Sequence, residues 1–329
     1  MAKKTLQLIV EPDDGVEPVL ALINSAKKSL RVLQFTLDEP HCIDAVLAAH
    51  KRGVDVQVML NPHKSGGERG NDATHATLTA HKVPVEWSNP RFAVTHQKTI
   101  VVDDQTALIA TFNLSAKYFG ETRDHGLVTD DAAIVKTIVA GFEADWHRKP
   151  FTPPAASPLL WSPDNSRRRM AEFIDGAKHR IDVQHPKFVD TTIIERLAAA
   201  RARGVHVRLL CGGKHGLSPW DFIDTFASLR ILERAGVKLK RQKHLKLHAK
   251  LLLADEKRAL VGSMNIDRSA FDVRRELGLV LDDGHVVERL GQLFEHDWKK
   301  AGDYVPPDPL TPETHDIGEL PHDPNFHHE

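Results

Sequence analysis

The sequence predicts an α/β protein built from two tandem copies of one unit, with a single site between them. Three observations predict it. The chain repeats itself over most of its length, each copy mixes helical with strand-like apolar spacing, and one set of polar residues recurs at the same offsets.

The repeat comes first. A shift of 151 residues pairs "VEPDDG" (Val10 to Gly15) with "WSPDNS" (Trp161 to Ser166), Ala26-Lys27 with Ala177-Lys178, and "KRGVDVQVML" with "ARGVHVRLLC". Further along the chain the shift becomes 152, pairing His96 with His248, Lys98 with Lys250 and Asn113 with Asn265. It still holds at the repeat ends, where "FEADW" answers "FEHDW". Two copies argue for paired halves, not a solenoid.

Within a copy, "VEPVLALINSAKKS" has apolar residues at helical spacing and "LRVLQFT" alternates as a strand. "CIDAVLAAHKRG" reads as an amphipathic helix stopped by Gly53, and "VDVQVML" as the strand that follows. Next come two short apolar runs joined by "DDQ" or "DEK", a hairpin with His and Lys at one edge and Asn at the other. Phe and Trp of "FEADW" and "FEHDW" stand four apart, the spacing of packing anchors on terminal helices.

These elements divide the chain into a first repeat (1–149), a Pro-rich linker (150–160), a second repeat (161–302) and a polar tail (303–329). An apolar share of 41% suits a globular protein with a real core. A formal charge of −1 lacks the overall basic footprint of a dedicated nucleic-acid binder. Cys42 and Cys211 have no metal-ligand spacing and read as core residues of a reduced compartment. The early run "LQLIV" stops at an acidic turn, short of a signal-peptide core, and no run reaches membrane-span length, so the expectation is a cytoplasmic protein.

Each copy reads H-x-K-x4-D, then six residues on a small-small-x-N tetrad, then a carboxylate eleven residues beyond the Asn: Asp124 or Glu276. Strand alternation would place His96 with Lys98, and His248 with Lys250, on one face, each half offering half of a site. Together they supply two imidazoles, two ammonium groups and the carboxamides of Asn113 and Asn265, a set suited to in-line displacement at a phosphodiester. An imidazole with a pKa of about 6.5 can attack phosphorus while a second, protonated ring donates to the leaving oxygen. The covalent product is a phosphohistidine, which the second ring resolves by activating water or an alcohol.

Asp124 and Glu276 would orient the rings. Asp103 and Asp255 read as turn-forming motif residues, and Thr111 and Ser263 as structural members of the tetrads. This chemistry needs no metal and no cofactor.

"HQKTIVVD", "HAKLLLAD" and "GSMN" resemble the signature of the phospholipase D superfamily, and "GSMNIDRSAFDVRREL" is similar to the matching stretch of bacterial cardiolipin-synthase-like proteins. The resemblance spans both repeats and implies a phospholipase D-like fold: two α/β/α halves around a shared site, with metal-independent chemistry. It also implies His96 as nucleophile and His248 as general acid. The first tetrad departs from the family pattern, with Ala110 and Thr111 in place of Gly and Ser.

The expected activity is hydrolysis of a phospholipid or phosphatidyl transfer to an alcohol. The alternative is a metal-independent nuclease, and a third reading is a module that binds phosphodiesters without cleaving them. The basic run Lys238 to Lys250 would attract anionic lipid headgroups, giving peripheral contact with a membrane surface, or nucleic-acid phosphates. "SGGERG" (Ser65 to Gly70) and "GGK" (Gly212 to Lys214) lack P-loop spacing and read as loops shaping access. No obligate protein partner is implied.

Overall fold

The computed structural model describes residues 5–64, 67–213, 217 and 221–309. The first half runs β1 (Leu6–Glu11), α1 (Glu17–Asn24), β2 (Ser29–Gln34), α2 (Pro40–Lys51), β3 (Asp55–Leu60), α3 (Asp72–Ala80), β4 (Val85–Trp87), β5 (Val94–Thr95), β6 (Thr99–Val102), β7 (Thr106–Ala110), α4 (Ala116–Gly120), β8 (Thr122–Thr129) and α5 (Ala132–Trp146). The second runs β9 (Leu159–Ser162), α6 (Ser166–Asp175), β10 (Arg180–Gln184), α7 (Thr191–Ala202), β11 (His206–Cys211), α8 (Asp221–Arg234), β12 (Lys238–Arg241), β13 (Lys246–Leu247), β14 (Leu251–Ala254), β15 (Arg258–Gly262), α9 (Arg268–Asp272), β16 (Arg274–Leu281), α10 (Gly284–Lys300) and β17 (Gly302–Asp303). β9 begins inside the stretch read as a linker, and the tail beyond residue 309 lies outside the described residues, as do Ser65, Gly66 and Lys214 of the two loops.

Each half is a mixed sheet. The first has the order β1-β8-β7-β6-β2-β3-β4, with β2, β3 and β4 parallel. The second has β17-β12-β11-β10-β14-β15-β16-β5, with β9 also on β16 and β10, β11 and β12 parallel. Helices α1 and α2 cover the outer face of the first sheet through Val19, Ile23, Val46 and Ala49, and α6 and α7 cover the second through Phe173, Ile174, Ile193 and Leu197. Between the sheets lies a third core that draws Val101, Ile109 and Leu127 from one half and Leu251, Val261 and Leu279 from the other. Helices α5 and α10 add Ile138 and Leu290 to it, and their Phe142–Trp146 and Phe294–Trp298 pairs stack at 5.8 Å.

The hairpins form as expected, β6 with β7 and β14 with β15. Asp103-Asp104 and Asp255-Glu256 turn them with both residues of each pair at positive φ, the turn that matches strand twist. Asp103 accepts from the N–H groups of Lys28 (2.7 Å) and Ser29 (2.9 Å), pinning the turn to the start of β2. Asp255 does the same for β10 through His179 (2.7 Å) and Arg180 (2.9 Å).

The two sheets exchange strands. β5, from the first half, pairs in parallel with β16, and β13, from the second, pairs in parallel with β8. This corrects one expectation. His96 to Lys98 and His248 to Lys250 are not interior strand residues: each triplet is the segment that leaves one half's sheet and enters the other's. The N–H groups of His96 and Gln97 both donate to Arg275 O (2.9 and 3.0 Å), and those of His248 and Ala249 both donate to Arg123 O (3.2 and 2.8 Å). Two residues against one is a bulge, which re-aims side chains that a regular ladder would alternate.

Candidate active site

The exchange sets up the site. His96 Nδ1 lies 3.0 Å from Glu276 Oε2 and 3.2 Å from Ser263 O, both in the second half. His248 Nδ1 lies 2.8 Å from Asp124 Oδ1, in the first. Each carboxylate therefore serves the imidazole of the opposite copy. Since Ser263 O only accepts, His96 Nδ1 carries its proton and Nε2 keeps the lone pair.

The tetrads hold these carboxylates. Thr111 Oγ1 donates to Asp124 Oδ1 (2.5 Å) and accepts from His125 N–H (2.9 Å), and Ser263 Oγ donates to Glu276 Oε2 (2.6 Å) and accepts from Leu277 N–H (3.1 Å). Thr111 thus makes the same pair of bonds as Ser263 despite its β-branch. Ala110 fits opposite Gly126, which has no Cβ. Gly262 is more constrained, since a Cβ there would sit 2.6 Å from Gly278 Cα.

Lys98 and Lys250 turn their ammonium groups onto the carbonyls of His96 and His248, so each stays beside its own histidine. Lys98 also lies 5.3 Å from the Phe35 ring centroid. Phe35 walls His96 and Tyr118 walls His248, each at 4.7 Å between ring centroids. Asn113 and Asn265 close the two tetrads, and their buried amide oxygens have no hydrogen-bond partner among the described residues.

The electrostatics are unequal. Burial works to raise Asp124, but His248, Lys250 and the Thr111 hydroxyl outweigh it and hold the carboxyl below its ordinary range. Burial pushes Glu276 up to about 7, only partly offset by Lys98, Arg274 and Ser263. His96 falls well below its ordinary value through burial, then Lys98, Arg274, Lys250 and His248, so both histidine-lysine sets act within one field. Burial takes His248 down to about 4, with Asp124 opposing, and Lys250 down to about 8, with Asp124 and Glu276 opposing. Burial also lowers Lys98 far below the usual range of an ammonium.

Sequence reasoning missed the residues that lock the halves. Arg123 on β8 donates to Asp297 of α10 (2.9 and 3.3 Å), and Arg275 on β16 donates to Asp145 of α5 (2.8 and 2.9 Å). The signal was present: each Arg directly precedes the site carboxylate, and the two Asp residues recur inside "FEADW" and "FEHDW". Arg274, whose charge acts on His96, breaks the repeat, for Thr122 holds that place in the first half. The basic run is largely absorbed, with Lys240 on Trp298, His244 on Asp297 and Lys246 on Glu121. Among the described residues, no group of three or more His, Cys, Asp and Glu is placed to hold a metal ion, and no helix is long and apolar enough to cross a membrane.

Two mixed sheets joined about a pseudo-two-fold, with a His-x-Lys segment crossing at each junction, define a phospholipase D superfamily protein. Residues 19–146 and 170–298 each match the family described as "Cardiolipin synthase, PLD-like domain", and the chain belongs to that family. Cardiolipin synthase A of Pseudomonas aeruginosa is 24% identical over 94% of this chain and 70% of its own length. Two solved structures share the fold. Phosphatidylserine synthase from Haemophilus influenzae has a TM-score of 0.72 at 13% identity, covering 91% of this chain and 87% of that one. Polyphosphate kinase from Porphyromonas gingivalis also has a TM-score of 0.72, at 18% identity, covering 90% of this chain and 47% of that one.

Proposed function

We propose that the protein is a phospholipase D-type phosphatidyltransferase that cleaves a phospholipid phosphodiester through a phosphohistidine and passes the phosphatidyl group to an alcohol or water. The observation that carries the reading is the crossed pair of histidine-carboxylate dyads at the seam. Membership of the cardiolipin synthase family supports a phospholipid substrate.

His96 is the nucleophile. Its Nε2 lone pair attacks phosphorus, the bond to the leaving oxygen breaks, and the proton of the His248 imidazolium goes to that oxygen, leaving phosphohistidine and a free alcohol. Neutral His248 then takes a proton from the acceptor hydroxyl as its oxygen attacks phosphorus, and the P–N bond breaks to return His96. The unequal carboxylates support this order. A bound diester brings negative charge that favours protonation of one ring, and the ring backed by an ionised carboxylate is His248. His248 is also the more open ring, its side chain 17% exposed against 8% for His96, which suits the partner that meets leaving and entering alcohols.

Lys98, Lys250, Asn113 and Asn265 meet the charge on the equatorial oxygens, replacing a metal in that role. Exposed Lys238 and Lys243 would favour approach to an anionic lipid surface. The test is to incubate the protein, in EDTA, with phosphatidylglycerol vesicles and separately with labelled DNA. Phosphatidate or phosphatidyl-alcohol that disappears in His96→Ala and His248→Ala is the expected result. Cut DNA with intact lipid overturns the reading, as does full turnover by both variants.

A further inference from the structure

Glu11 closes β1 with its side chain wholly buried, and neither carboxyl oxygen has a hydrogen-bond partner among the described residues. An unpaired buried carboxylate is costly, and such a group takes up a proton instead. In the β1–β8 ladder Glu11 stands directly opposite Asp124. Residues so paired share a face, their Cβ atoms about 5 Å apart.

The second half has no such group. Ser162 holds the matching place opposite Glu276, and its hydroxyl is bonded to Ser166 (2.6 Å). Glu11 thus adds a carboxyl beside Asp124, whereas the further carboxyl that acts on Glu276 is Asp267, which is ion-paired with Lys187.

Its surroundings do not favour a charge. Asp124 faces it from β8 with His248 behind, and Asp13 and Asp14 lie in the turn after β1. Arg123 is spent on Asp297 of α10, Asp13 and the Glu11 carbonyl, and Asp297 also binds His244. From α4 come the buried Tyr118 phenol and Lys117 over its ring. Burial, then Asp124 and Asp14, push Glu11 up to about 8, with the Gly15 N–H opposing them.

We propose that Glu11 is a positioning residue for the Asp124–His248 dyad: an uncharged carboxyl that leaves Asp124 as the sole charge behind His248 and makes the two half-sites unequal. The proposal rests on His248 as the proton donor. When Glu11 ionises, two carboxylates face each other across the ladder, His248 holds its proton more tightly, and an incoming diester is repelled.

Two measurements on the full-length protein test this. Infrared difference spectra between about pH 6 and about pH 9, wild type against Glu11→Gln, report the protonated carboxyl without turnover. The kcat/KM–pH profile on a diester with an alkyl leaving group, whose departure needs the His248 proton, reports its consequence. Lys250, at about 8, also titrates on the alkaline side. Wild type is expected to fall with a limiting slope of about two and Glu11→Gln with a slope of about one, while Glu11→Asp restores the second deprotonation.

A carboxyl band present in wild type at neutral pH and missing from Glu11→Gln is the matching spectroscopic result. Identical spectra, or superimposable alkaline limbs, overturn the proposal. A wild type that turns over no phosphodiester overturns the proposed function instead, and the infrared band still decides whether Glu11 is neutral.

Discussion

Asp124→Asn tests the crossed dyads most directly. Asn keeps the shape of Asp but removes the charge that faces His248 Nδ1 at 2.8 Å. Asp124 is fully buried, so no water replaces the lost acceptor. A hydrogen bond between charged partners contributes about 1.5–3 kcal/mol. Because His248 gains its charge on the way to the transition state, kcat/KM should fall roughly 10- to 150-fold. The assay is hydrolysis of a diester with an alkyl leaving group, in wild type, Asp124→Asn, His248→Ala and the double variant. If Asp124 acts through His248, the second substitution costs less than about threefold in the His248→Ala background. Independent, multiplying losses would refute the crossed assignment. A nitrophenyl leaving group needs no protonation, so on that substrate both single variants should recover while His96→Ala stays inactive.

Two predictions concern stability. Asp297→Ala leaves the Arg123 guanidinium buried and short of its acceptor, at a cost of about 3–5 kcal/mol and a fall in Tm on the order of 10 °C by calorimetry. A loss under about 1 kcal/mol would mean that the Arg123–Asp297 pair does not hold the halves. Gly262→Ala forces a Cβ to within 2.6 Å of Gly278 Cα, so urea unfolding should show a loss of about 1–3 kcal/mol. An unchanged midpoint would show that β15 and β16 can part without penalty.

Much of this was legible because duplication prints each structural requirement twice. The 151- and 152-residue registers pair elements of like type, and the hairpins and both half-sites follow from local pattern alone. What stayed hidden depends on which strand crosses to which sheet. Asp124 lies between His96 and His248 in sequence, and nothing local tells which ring it meets. That choice is made by β5 joining β16 and β13 joining β8, contacts between residues about 180 and 124 positions apart. Arg123 and Asp145 likewise read as ordinary charges of one copy until the topology sends each to a partner in the other. Glu11 escaped because it breaks the repeat, and a search for shared residues passes over a difference.

The strand exchange also bears on how damage spreads. With each imidazole steadied by a neighbour from the far lobe, slippage of one lobe by an ångström would disarm both stations at once. Alignment and reactivity rise and fall as a single quantity here, and a partly working intermediate has no place in such a design.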